Sequence, residues 1–343
     1  METAAVADKA RTDLNRVLTL EFARVTERAA VAAARLRGRG DEVAADQSAV
    51  DAMWREVNGL AISGTVVIGE GEEDEAPLLY RGEAVGEGNQ PPVDVALKPL
   101  EGSTICAKDL ANSWSVIAVA ESGSLLHVPQ IYMDKIAIGP GYPDGIIDMN
   151  KPIEEVIVDI AVAKGVRTGE VRTCILDRPR HHELIDAVRR AGASIRLIGD
   201  GDVSGVVHTA YPDETGIDLY IGVGGAPEGV LASAALRCVG GQMQGRLIYR
   251  DAAEREIAKR IGRGDADRIY TMDDMVSGDV IFAATGVTDG NLLSGVRFGS
   301  DVIVTETILM RSSSSTVRRV VGEHRPDAKK FWYDAANPGI SAG

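Results

Sequence analysis

Acidic side chains crowd one point of the chain. In VIGEGEEDEAPLLY, five acids (Glu70, Glu72, Glu73, Asp74 and Glu75) fall within six residues, after an apolar run and before Pro77. Their repulsion would be relieved by a hard cation such as Mg²⁺ or Mn²⁺, which prefers carboxylate oxygen. A solvated acidic loop is the plainer alternative. Downstream, VDVALKPLEGST runs through Lys98 and Pro99 into Glu101 and the turn Gly102-Ser103-Thr104. A carboxylate beside a glycine–hydroxyl turn can hold a metal and a phosphate together, with N–H groups and hydroxyls facing the phosphate oxygens. A capped helix start is the alternative.

Three later segments carry polar groups at strand ends. Arg178 and Arg180 in DRPRHHELI stand at a strand-to-helix turn. They could grip phosphate bidentately, or be surface arginines. His181 and His182 could add contacts, although exposed histidines at helix starts are commoner than ligands. Asp200 and Asp202 in LIGDGDVSG suit sugar hydroxyls or a cation, or form a bare Asp-Gly turn. In YIGVGGAPEGV, Gly222, Gly224 and Gly225 permit close ligand approach and Glu228 opens the next helix. Pro227 falls where a dinucleotide loop needs its third glycine, and the chain has no Gly-Lys dipeptide. Dinucleotide and Walker A loops are both excluded.

The elements that must position these groups follow from periodicity. Leu14, Val17, Leu18, Phe22, Val25, Ala29 and Ala33 predict a helix over 11–37, ended by Gly38 and Gly40. A second helix is expected from Ala44 to Asn58. TVVIG, VDVALKPL and WSVIAVAE read as strands, and SLLHVPQIYMDKIAIGP continues that pattern. From Lys151 onward helices and strands alternate: IEEVIVDIAVAKG, RTCILD, HHELIDAVRRAG, SIRLIGD, SGVVHTAY, IDLYIGVG and APEGVLASAALRCVGG. Late strands are expected at DVIFAATG and VIVTETILM, and the tail NPGISAG reads as frayed. The expectation is an α/β protein. Its residues 1–150 form a helix pair and strand-rich lobe with the candidate metal motifs, and 151–343 form an α/β lobe with the phosphate-binding motifs.

Composition narrows the function. The chain has 343 residues, 45% of them apolar but only 4% aromatic, so its core must be aliphatic. A formal net charge of -14 argues against nucleic-acid binding. Cys106, Cys174 and Cys238 are widely spaced, which disfavours a disulfide framework or thiolate zinc site. No signal-peptide core or membrane-length apolar stretch is present, so a cytoplasmic setting with no membrane partner is expected.

Seven segments in order (GRGDEVAAD, VIGEGEEDEAPLLY, PLEGST, YMDK, DRPRH, DGDV and GGAPEGV) resemble class II fructose-1,6-bisphosphatases, including bifunctional sedoheptulose-1,7-bisphosphatases of that type. Each is weak alone; all seven at this spacing are highly specific. The resemblance covers nearly the whole chain. It implies a layered αβαβα fold shared with inositol monophosphatases, and Mg²⁺- or Mn²⁺-dependent hydrolysis of the 1-phosphate of a ketose bisphosphate by a homo-oligomer, dimer or tetramer. By motif, Asp46, Glu70, position 98 and Glu101 would be metal ligands. Glu101, Gly102, Ser103, Tyr132, Arg178, Arg180, Asp200, Asp202 and Gly225 would contact substrate. Glu228 would be a catalytic or metal-supporting acid, Asp74 an acid near the attacking water, and Ser103 the assisting hydroxyl.

Two departures stand out. The family motif reads Asp-Pro-(Leu or Ile)-Glu-Gly, whereas this chain reads Lys98-Pro99-Leu100-Glu101-Gly102. An ammonium has no lone pair for a metal. The family commonly has Lys, Asn, Thr where Glu42, Val43 and Ala44 stand here. The exchanged charges predict a Glu42–Lys98 ion pair. Three functions remain open: an active sugar-phosphate phosphatase with fewer metal ions (or none) or a shifted substrate; a different reaction on a sugar phosphate with Lys98 as acid–base or Schiff-base group; and a non-catalytic sugar-phosphate binder or regulatory subunit.

Overall fold

A computed structural model describes residues 14, 18–88, 90–260 and 268–325. The first half supplies helices α1 (Leu18–Ala34) and α2 (Glu42–Asn58), then strands β1 (Ser63–Ile68), β2 (Ala84–Val85), β3 (Pro92–Glu101), β4 (Trp114–Glu121) and β5 (Tyr132–Ile138), with short helix α3 (Ser103–Ala107) after β3. The second half continues with α4 (Ile153–Lys164), β6 (Arg172–Leu176), α5 (His182–Arg190), β7 (Ser194–Ile198), α6 (Asp202–His208), α7 (Pro212–Thr215), β8 (Leu219–Gly225), α8 (Ala226–Val239), β9 (Gln242–Ile248), α9 (Ala252–Arg260), β10 (Ile269–Thr271), α10 (Met272–Met275), β11 (Val280–Gly286), β12 (Arg297–Phe298), β13 (Ile303–Arg311) and β14 (Thr316–His324).

Most expected elements form with shifted ends. The helix expected over 11–37 runs over Leu18–Ala34; apart from Leu14, its residues before Leu18 lie outside the described ones. The second helix starts two residues early, because the Asp41 side chain accepts from the Ala44 N–H and caps it. The tail NPGISAG also lies outside the described residues. Strands β9 and β14 were not expected from the sequence.

Two mixed sheets form. The 8-stranded one runs β12-β13-β11-β4-β3-β1-β2 with β14 on β13, and the 6-stranded one runs β10-β9-β5-β8-β6-β7. The sheets do not divide at residue 150. β5 belongs to the second sheet, and β11 to β14 return to the first.

Burial explains the layering. α1 and α2 pack Phe22, Ala29 and Met53 against one face of the first sheet, over Val95, Leu97 and Ile117. Its other face joins α6, α8 and the second sheet through Trp114, Phe282, Val206, Leu231 and Met243. The far face of the second sheet is covered by α4 and α5 through Ile157, Ile160, Ile185 and Val188. The order is therefore α, β, α, β, α, as expected. The inner strands bury both faces, as β4 and β11 do, and so read as near-continuous apolar runs. All three cysteines are free and buried. Burial pushes the thiols of Cys106 and Cys174 up to about 11 and about 12, which removes them as nucleophiles.

Candidate functional site

The site begins with a slip in β3. Lys98 pairs opposite Val116 of β4, yet Glu101 pairs opposite Trp114, so β3 carries one extra residue at Pro99-Leu100. In a regular strand residues 98 and 101 would face opposite sides. The bulge resets that parity, and both side chains line one cavity of about 420 Å³. Pro99 is tolerated there because a bulge need not donate a ladder hydrogen bond. Gly102 then turns the chain in the left-handed region (φ 78°), and Ser103 opens α3.

Parallel pairing brings Glu70 to Lys98. Ile68 of β1 lies beside Ala96 of β3. Two residues further along each chain segment, with Lys98 still in β3 and Glu70 just past the end of β1, Lys98 Nζ donates to Glu70 Oε1 at 3.2 Å and Oε2 at 3.3 Å. The expected Glu42–Lys98 pair is not formed; Glu42 instead accepts from Thr104 Oγ1 at 2.9 Å. Burial alone would lower the Lys98 pKa, but Glu70, Glu228, Asp46 and Glu101 overcome that and raise it above the usual lysine value. Burial raises the carboxyls of Asp46 and Glu70, and Lys98 opposes both rises.

The rest of the acidic loop finds partners in the chain or faces solvent. The Arg81 guanidinium donates to both Glu72 oxygens, with contacts of 2.6 to 3.2 Å. Asp74 is exposed and lies outside the cavity lining, so it is not brought together with the other candidates.

Across the cavity, Glu101 Oε1 accepts from the Val203 N–H at 2.9 Å. Burial, with the negative charges of Asp202, Glu228 and Asp200, holds the Glu101 carboxyl well above the usual range. Lys135, on β5 with no exposed side-chain surface, donates to Asp202 Oδ2 and to the Gly225 carbonyl at 2.9 Å. Asp202 Oδ1 is buried without a partner. The paired glycines of YIGVGG have an unexpected reason. A Cβ on Gly224 would collide with Asp202 Oδ2, and one on Gly225 with Glu228 Oε2. The close approach is made by the protein's own carboxylates.

The arginine turn is pinned by histidine. His181 Nδ1 bonds the Leu176 carbonyl at 2.7 Å, and its Nε2 accepts from the Val223 N–H at 2.8 Å. With both nitrogens committed, and its pKa lowered chiefly by burial, His181 is a neutral staple rather than an added ligand contact. Arg180 donates to the Val223 carbonyl at 2.7 and 3.2 Å and stacks its guanidinium 5.0 Å from the Tyr132 ring centre. His182 stays exposed.

The cavity thus gathers Lys98, Glu101, Gly102, Ser103, Tyr132, Arg178, Arg180, Asp200, Asp202, Gly225 and Glu228. Asp46 and Glu70 are not part of its lining, but their negative charges act on Lys98. Sequence reasoning missed two polar lining residues, Gln130 and Arg250. The alternation QMQGRLI, ending two residues before Arg250, would have marked the strand that carries it. Cations (Lys98, Arg178, Arg180, Arg250) and carboxylates (Glu101, Asp200, Asp202, Glu228) meet in one hollow. That arrangement suits a ligand with anionic ends and hydroxyls between them.

Five α/β layers around such a hollow define an α/β sugar-phosphatase fold. Residues 16–324 match the family described as bacterial fructose-1,6-bisphosphatase, glpX-encoded; the chain belongs to that family. It is 41% identical over 329 residues to fructose-1,6-bisphosphatase 1 class 2 of Escherichia coli K12, covering 92% of this chain and 97% of the relative. Its identity to the fructose-1,6-bisphosphatase class 2 of Shigella flexneri is the same, 41% over 329 residues with the same coverage.

The family is metal-dependent. The four positions that the resemblance assigns to a divalent ion do not fit one here as a set. The Lys98 ammonium has no lone pair, engages both Glu70 oxygens and repels a second cation. Among the described residues, no three His, Cys, Asp or Glu side chains are arranged to hold a metal ion.

Proposed function

We propose that the chain hydrolyses a phosphate ester of a sugar bisphosphate, with fructose 1,6-bisphosphate and sedoheptulose 1,7-bisphosphate as the first candidates. The observation that carries this reading is the convergence of phosphate-gripping cations and hydroxyl-accepting carboxylates in one cavity. Arg178, Arg180 and Arg250 grip phosphate, with Tyr132 beside Arg180. Asp200 and Asp202, which line the cavity, accept sugar hydroxyls. Ser103 and Glu228 orient a water for attack on phosphorus. As the new P–O bond forms the ester P–O bond breaks; Glu228 takes a proton from the water, and the Glu101 carboxyl, raised by burial, gives one to the departing sugar oxygen. Gly102 and Gly225 keep the walls close, and Asp46 with Glu70 holds Lys98. Asp74, exposed outside the cavity, takes no part.

The cofactor in this reading is Mg²⁺ or Mn²⁺, in fewer copies than a complete ligand set would take, or none. A Schiff-base role for Lys98 is disfavoured because its carboxylate neighbours hold it cationic. The reading includes a cytoplasmic homo-oligomer, dimer or tetramer. No described helix is long and apolar enough to cross a membrane.

The test is phosphate release from both bisphosphates with Mg²⁺, Mn²⁺ or chelator, for wild type beside Lys98→Asp. Release by wild type supports the hydrolase. Tight binding without release under every condition would replace it with a non-catalytic sugar-phosphate binder.

A further inference from the structure

Two carboxylates at this site are each met by a lysine of the same chain. Lys135 neutralises Asp202 from below and is wholly enclosed. Lys98 neutralises Glu70, yet its side chain keeps 26% of its surface exposed and lines the cavity. An ammonium has three donors. Both contacts in its ion pair go to a single carboxylate, that of Glu70. Donor capacity therefore remains for an anion in the hollow. Lys98 stands in the same hollow as Glu101 and Glu228, so removing it would take one positive charge away from the surface that faces an anionic ligand. A tethered ammonium also avoids the reluctant dehydration of Mg²⁺.

We propose that Lys98 is a resident cation: its ammonium takes up the phosphate oxygens that a divalent ion among Asp46, Glu70 and Glu101 would otherwise hold, so phosphorylated ligand binds without a metal there. This rests on the sugar-phosphate reading of the cavity. It makes ligand affinity independent of chelator, and it makes divalent-ion uptake at the carboxylates conditional on losing Lys98.

Two measurements on the full chain test it. The first is Mn²⁺ binding alone, followed by electron paramagnetic resonance and calorimetry. Wild type takes up no stoichiometric Mn²⁺ at these carboxylates, and folded Lys98→Asp gains a site. Mn²⁺ uptake by wild type that is lost in Glu70→Gln overturns the proposal, as does a folded Lys98→Asp protein that gains none. The second is fructose 1,6-bisphosphate binding in chelator. Lys98→Arg keeps wild-type affinity within about threefold, whereas Lys98→Met loses about tenfold or more, the scale of a lost hydrogen bond to a charged group. Equal affinity of wild type and Lys98→Met in chelator, or collapse of wild-type affinity on chelation, also overturns it. If the bisphosphate binds under no condition, the substrate reading fails, while the Mn²⁺ comparison still decides the role of Lys98.

Discussion

Lys135 and Asp202 form a sealed ion pair beneath the cavity, and the same ammonium holds the Gly225 carbonyl at 2.9 Å. One lysine thereby fixes the start of α6 and the turn before α8, both of which face the ligand space. Removing one partner strands a buried charge. We expect Lys135→Met to lower stability by about 3–5 kcal/mol, read by thermal or urea unfolding. Adding Asp202→Asn should restore part of that loss. An unchanged melting temperature for Lys135→Met would show that the pair contributes nothing to the fold.

Arg180 combines a fork on the Val223 carbonyl with stacking on Tyr132. Lysine keeps the charge but loses both fork and stack. Arg180→Lys should weaken binding of inorganic phosphate or a sugar phosphate by about tenfold, with little change in melting temperature because the side chain is exposed. Affinity within twofold of wild type would remove Arg180 from the anion site.

His208 predicts an acid limit to stability. It is 3% exposed, packs edge-on against Trp114 with ring centres 5.6 Å apart, and burial lowers its pKa to about 4. The unfolded chain, with histidine near 6.5, binds the proton more readily. The stabilisation is therefore complete above about 6.5 and is lost as pH falls toward about 4. The loss is on the order of 3 kcal/mol. The unfolding free energy of wild type should fall by about 3 kcal/mol relative to that of His208→Phe as pH drops across that window; parallel curves would refute the assignment.

Gly224 has no room for a methyl group, since a Cβ there meets the Asp202 carboxylate and stands 2.9 Å from Lys135 Nζ. Gly224→Ala should cost about 1–3 kcal/mol by overpacking. Gly199→Ala, where a Cβ meets nothing within 4 Å, should stay within about 0.5 kcal/mol of wild type. Equal melting temperatures for the two variants would contradict the crowding argument.

Much of this architecture was legible in the chain because it is local. The strand WSVIAVAE spans Trp114–Glu121 as expected, and APEGVLASAALRCV forms α8. Such periodicities need only neighbours in sequence. The motif residues of β3, the arginine turn, the Asp-Gly-Asp turn and the glycine pair each sit at the end of an element, and those ends meet. Strand β9 was missed because its alternation is carried by Gln, Gly and Arg with few apolar residues, and β14 because it has no period-two pattern and is largely exposed on both faces.

Sequence alone determined the residue types and their order: lysine in a carboxylate motif, two arginines at a turn, acids after β1. Tertiary structure decided which of them touch. Lys98 meets Glu70 rather than Glu42 because parallel register sets Ile68, the last residue of β1, beside Ala96, and the chain leaves β1 toward Lys98. Lys98 and Glu101 share a cavity because one extra residue in β3 reverses strand parity. Glu72 is taken by Arg81 and Asp74 faces solvent, although both lie in the same acidic run as Glu70. Charge pattern fixes which partners attract one another, but strand register and packing fix the distances over which that attraction acts.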